Sequence, residues 1–222
     1  PLEWMYPHLT PSGIIMKINR QPLLELNDEI VQCDHHFWSQ YSERLIGNWI
    51  TYDTPISNIC AFAEEVYIRR DYRGNRDKKV DPRFVRDDDG QKAFSKLRSS
   101  IAGVYNWRFA DASNKLMAMQ SRPPAEQQAN LGEIQRLSLD QQRMLKEADF
   151  AFKQAFAYCP YSPEAVFRYV TLLVNVRRVD DALRLAQTAI KLDPENGQIA
   201  NLIAELDRIQ KSQPAAPPPV AA

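Results

Sequence analysis

Displacing the chain by 34 residues against itself brings two helical segments into register, and this self-similarity limits the fold more than any other feature of the sequence. Ala148 falls on Ala182, Ala155 on Ala189, Phe156 on Ile190, Tyr158 on Leu192 and Pro160 on Pro194. Ser162 falls on Asn196, and both are residue types that start helices. The shared frame is a small residue, a second one seven positions on, and a proline five positions later. Alanines at 148, 155, 182 and 189 let helix backbones approach closely, where anything larger would push the pair apart. Pro160 and Pro194 cannot continue a helix, so each forces a turn to the next one.

This frame resembles the second helix of the tetratricopeptide repeat, whose unit is two antiparallel helices in ~34 residues. The resemblance covers residues 144–210. Pro163 to Val176 and Gly197 to Ile209 take the first-helix positions of successive repeats. Val166, Tyr169 and Leu173 fill large apolar slots there, while Val170 stands where the family has a glycine. Upstream of Gln141 the match to a first helix fails, because Gly132, Gln135 and Arg136 would occupy apolar or small slots. The resemblance implies an all-α fold of antiparallel helix pairs stacked as a right-handed solenoid. It also implies a groove for a peptide or protein partner on the first-helix side. The positions that would line it are Glu164, Phe167, Thr171 and Asn175, then Gln198, Asn201, Glu205 and Arg208. Relatives that clamp a C-terminal carboxylate carry Lys and Asn where this chain has Phe167 and Thr171, so that mode of recognition is not expected.

Composition agrees with helices joined by proline-marked turns, since 15 prolines stand against only 7 glycines in 222 residues. Lys and Arg number 28, as do Asp and Glu, so no net charge points to nucleic acid or an anionic membrane. The three cysteines, Cys33, Cys60 and Cys159, are scattered and form no CxxC, which fits buried small residues better than a zinc or disulfide framework. The longest apolar run, near Val170 to Val176, is far short of a membrane span. Pro1 carries no signal-peptide pattern and no initiator Met, and the expectation is a C-terminal piece of a longer protein.

Outside the repeat, residues 1–26 form a proline-punctuated extended arm in which Gly13 to Asn19 predicts a short strand. Residues 27–121 form a helical region. Asn27 predicts an N-cap, with Ile30, Cys33, Phe37, Tyr41 and Leu45 as one helix face and Gly47 as the stop. Ile56, Ile59, Cys60, Ala63, Val66 and Tyr67 predict a second helix, and Phe94, Leu97, Ile101, Val104 and Tyr105 the inward face of a third over 91–120. These earlier helices are expected to complete the stack as degenerate repeats, because a repeat buries its face only against a neighbour. The charged stretch 69–90 reads as an exposed connection. Ser138 with Gln141 predicts a capping box that begins a helix reaching Tyr158, inside a repeat region spanning 122–211. The tail 212–222 is Pro- and Ala-rich and is expected to be disordered.

"PLEWMYPHLTPSGIIMKIN" (1–19) and "SKLRSSIAGVYNWR" (95–108) carry a second resemblance. They are similar to the soluble C-terminal region of a bacterial membrane-protein family whose multi-pass half resembles protein O-mannosyltransferases. Trp4 to Pro7 followed by Gly13 to Lys17 is the matching motif. That resemblance implies an accessory domain on one face of a membrane, periplasmic or cytoplasmic, with catalysis in the absent half.

Little in the sequence predicts chemistry. Cys33-Asp34-His35-His36 places Cys33 and His36 on one helix face, but a metal site would need further ligands, and the only other histidine is His8. Arg69 to Lys79 is basic enough to meet phosphate, yet Arg86-Asp87-Asp88-Asp89 offsets it nearby. Glu64-Glu65 and Asp180-Asp181 are adjacent on helices and do not face each other as acid/base pairs. Ser99 and Ser100 sit mid-helix, away from any nucleophile elbow, and no phosphate-binding glycine loop is present. The expectation is a non-catalytic protein-interaction module without metal or cofactor.

Overall fold

A computed structural model describes residues 3–72 and 79–212. A 3₁₀ segment, Glu3–His8, leads into the antiparallel hairpin β1 (Leu9–Ser12) and β2 (Ile15–Ile18). Gly13 turns that hairpin at φ +66°, which favours glycine, and a Cβ there would press on the Phe37 ring at 3.1 Å. Eight helices follow: α1 (Asp28–Leu45), α2 (Ile56–Ala63), α3 (Asp88–Gln120), α4 (Pro124–Ala129), α5 (Leu131–Tyr158), α6 (Pro163–Asn175), α7 (Val179–Leu192) and α8 (Gly197–Ser212).

Helix α3 is 33 residues long, roughly 50 Å of helix at 1.5 Å per residue. It starts where the Asp87 carboxylate accepts the Gly90 N–H at 2.9 Å. A Cβ on Gly90 would stand 2.6 Å from that carboxylate, so only glycine admits the cap in this geometry. Helix α4 and the turn before it return the chain, and α5 runs back against α3. The antiparallel register is fixed by Arg98 meeting Gln154 and by Ser113 meeting Gln141. Helices α6, α7 and α8 then follow as short antiparallel partners, with α3 alongside α6. Ala148, Ala155, Ala182 and Ala189 have no exposed surface, and Pro160 and Pro194 each follow a helix end by two residues. Asn196 caps α8 through its side chain, accepting the Ile199 N–H at 3.2 Å, whereas Ser162 makes no such bond for α6.

Several expectations are corrected. The deep stripe of α1 is Val31, Asp34, Trp38 and Ser42, one position beyond the predicted face, and Cys33 is exposed. Phe37 and Tyr41 are half-buried against the hairpin and α3 instead. Two of the four deep residues are polar, which is why hydrophobic periodicity selects the neighbouring stripe. Ser138 begins nothing: α5 starts at Leu131 and passes through it unbroken. The stretch 69–90 is not wholly an exposed connection. Val80 bridges Ile46, Phe84 is buried, and α3 has already begun at Asp88; residues 73–78 lie outside the described residues. The predicted disordered tail also lies outside them, except Ser212, which ends α8.

Helix α2, continued by a π-turn over Glu64–Ile68, packs across α5 and α7. Lys191 pairs with Glu64 at 2.7 Å, and the Tyr67 hydroxyl donates to the carbonyls of Ala157 and Tyr158 at 2.8 Å. Helix α2 thus lies on α5 and α7, and α3 lies on α5 and α6.

Candidate functional site

With α3 and α6 side by side, their shared face opens into a cleft of about 590 Å³ that the N-terminal 3₁₀ segment closes at one edge. Gly103, Asn106, Trp107 and Ala110 of α3 form one wall, and Phe167, Arg168 and Thr171 of α6 the other. Phe152 of α5 lies at its base, and Glu3 and Tyr6 complete the rim. Tyr6 stacks on Trp107 with centroids 5.5 Å apart and planes 11° from parallel. Gly103 leaves room for the Arg168 guanidinium, which a Cβ there would meet at 3.0 Å. Arg168 is held by Glu164 at 2.9 Å across one helical turn, and the Thr171 hydroxyl donates to the Phe167 carbonyl.

The cleft is thus an aromatic slot with an amide, a hydroxyl and a guanidinium at its margins. Such a surface can bury one apolar side chain and hydrogen-bond an extended backbone beside it. Of the residues expected to line a groove, Phe167 and Thr171 lie in this cleft, and Glu164 orients Arg168 from its edge. Asn175 is exposed past it, and Gln198, Asn201, Glu205 and Arg208 form an exposed face of α8 that does not line it. Sequence reading missed the α3 wall and Tyr6. Gly103 and Trp107, four residues apart on a helix, were the available signal.

Two polar clusters brace the body behind the cleft. Asp34 and Arg98 pair at 2.8 Å with no exposed side-chain surface, Tyr105 donates to the same carboxylate at 3.0 Å, and Arg98 donates to Gln154 at 2.8 Å. The guanidinium also lies 5.0 Å from the Trp38 ring. On the other flank, His35 meets Glu147 at 2.6 Å while Tyr52 donates to the second Glu147 oxygen at 2.7 Å. Burial, with help from Glu147, raises the Tyr52 hydroxyl above its ordinary range, so it stays a donor. His35 is engaged in this brace, and among the described residues no group of three or more His, Cys, Asp or Glu gathers to hold a metal.

A third bracing point joins body to repeat. Asp149 on α5 receives Tyr169 at 2.9 Å, Arg178 at 2.9 Å and Lys153 at 2.7 Å. Burial and then the Asp149 charge push the Tyr169 hydroxyl well above its usual range. This ties α6 and the α6–α7 turn to the preceding helix.

A family model of the tetratricopeptide repeat matches residues 141–206. The fold is tetratricopeptide-like. The matched segment holds the C-terminal part of α5, the α6–α7 pair and most of α8, so the wall of the cleft carrying Phe167 and Thr171 lies within the match. The opposite wall, on α3, lies outside the match. No curated protein and no solved structure matches the chain. The N-terminal resemblance to a membrane glycosyltransferase family gains no support from these comparisons, and among the described residues no helix is long and apolar enough to cross a membrane.

Proposed function

We propose that the chain is a helical-repeat interaction module whose α3–α6 cleft receives an extended segment of a protein partner. The observation that carries this reading is the cleft itself: a first-helix face of tetratricopeptide type, left open, with Trp107 and Phe167 on opposite walls. Aromatic residues in a partly enclosed slot are the usual energetic centres of protein recognition. Asn106 and Arg168 supply donors, and the Thr171 hydroxyl oxygen an acceptor, for the backbone that runs past them. No cofactor or metal enters this reading, and the chemistry is binding.

The test begins with affinity capture on the full chain and identification of the retained protein. Trp107→Ala and Phe167→Ala are then each expected to weaken the measured affinity by about tenfold or more. Arg208→Ala asks whether the groove continues onto α8. Full affinity in both aromatic variants would overturn the assignment of the cleft. A second reading makes the chain an accessory domain of a membrane-bound glycosyltransferase, with the parent chain as partner. It draws on Trp4 of the Trp-Met-Tyr-Pro motif, which is 70% exposed and open to a neighbour.

A further inference from the structure

The N-terminal hairpin carries apolar residues that the fold leaves uncovered. All four residues of β2 are exposed, Ile15 at 62% and Ile18 at 61%, and Ile14 beside them at 45%. Strand β1 lies inward with Leu9, Thr10 and Pro11 buried, and among the described residues no strand flanks β2 on its other side.

The hydrogen-bond phase of the hairpin identifies the groups that face outward. The Asn19 N–H donates to the His8 carbonyl at 2.9 Å, one pair beyond Leu9 opposite Ile18. Opposed residues in an antiparallel pair alternate between bonded and non-bonded. Lys17 and Ile15 therefore bond to β1, while Met16 and Ile18 turn their N–H and C=O groups to the open edge. Pro11, which has no N–H, sits opposite Met16 at a non-bonded position, as this phase requires.

We propose that the open edge of β2 accepts an extended segment of a protein partner as a third strand, its apolar residues covering Ile15 and Ile18 and an acidic residue meeting Lys17. Charge selects this occupant. Residues 4–24 contain Lys17 and Arg20 and no Asp or Glu. A second copy is disfavoured, because a two-fold antiparallel pairing sets one residue opposite itself. Centred on Met16 or Lys17, it places both lysines on one face, diagonal or directly opposed, which is repulsive. Lysine on an edge is also a usual guard against self-pairing. A bilayer would cover the isoleucines but would leave the edge N–H and C=O groups without partners. Strand addition satisfies both the backbone and the side chains.

The experiment titrates the full chain into a short fluorescein-labelled peptide carrying the segment Val-Glu-Val-Val, which in antiparallel addition sets valine against Ile18 and Ile15 and glutamate against Lys17, read by fluorescence anisotropy. Saturable binding is expected, and the Val-Lys-Val-Val counterpart should fail to compete. Met16→Pro removes an outward N–H and no hairpin bond, so it should weaken binding about tenfold while circular dichroism stays unchanged. Lys17→Glu should weaken it similarly, and Trp107→Ala should not, which separates this edge from the cleft. Absence of saturable binding, or full affinity in Met16→Pro, overturns the proposal. So does a concentration-dependent dimer abolished by Met16→Pro, which gives the edge to a second copy. Co-sedimentation with phosphatidylglycerol vesicles without peptide binding also overturns it, giving the hairpin to lipid.

Discussion

The body built from α1, α3 and α5 and the repeat built from α6, α7 and α8 bury their helices by different means. In the repeat, alanines and aliphatic residues recur at helical spacing and the backbones close on one another, as Ala182, Ala186 and Ala189 show by having no exposed surface. In the body, the seam between α1 and its neighbours encloses an ion pair, Asp34 with Arg98, and the hydroxyl and amide groups that attend it. An apolar seam tolerates small shifts, since dispersion and hydrophobic burial are non-directional. A charged seam does not, because each buried charge depends on a partner at hydrogen-bond distance. The body is accordingly the part with one allowed geometry, and the repeat is mounted on it through Asp149.

The largest test of that contrast is to remove one member of the pair. Asp34→Ala leaves Arg98 buried and unmatched, and about 3–5 kcal/mol of stability should be lost in urea unfolding. The double variant Asp34→Leu with Arg98→Met should recover part of the loss, because no charge is left unmatched although Tyr105 and Gln154 each lose a partner. If the double variant is as unstable as the single one, the pair is not what sets the body apart. A smaller effect is expected in the repeat: Ala182→Leu should cost about 1–3 kcal/mol by overpacking the α7 contacts, with no dependence on pH or salt. A loss as large as that of Asp34→Ala would erase the contrast. The smallest effect concerns reactivity and leaves stability untouched. Burial pushes the Cys60 thiol up to about 11 and the Cys159 thiol up to about 12. Both remain protonated at pH 8, where only the exposed Cys33 of α1 should react with a thiol reagent. Three reactive thiols in the native protein would mean that the packing over Cys60 and Cys159 opens.

How far the sequence could be read follows the same division. The 34-residue offset, with its alanines and prolines, made α7 and the end of α5 legible because close backbone approach demands small residues at a fixed interval. Helix α2 was legible from its apolar spacing, as Ile56, Ile59, Cys60, Ala63 and Val66 are all buried. The deep stripe of α1 was not, since Asp34 and Ser42 interrupt its apolar pattern and their partners stand 64 and 116 residues away. Half of the cleft was visible for a related reason. Phe167 and Thr171 belong to a repeating frame, but Trp107 and Tyr6 reach the site through the packing of α3 and the N-terminal turn, and no local pattern announces such a meeting.

The same long-range pair has a consequence for synthesis. Asp34 and Arg98 are delivered by the ribosome well before Gln154 and Phe150, the residues of α5 that close over the guanidinium. Until α5 has emerged, the Asp34–Arg98 pair can form between α1 and α3 but stays open to water on the side that Gln154 and Phe150 later cover. The pair becomes a buried one, with a buried pair's demand for exact partners, only once the chain has been made to near Tyr158.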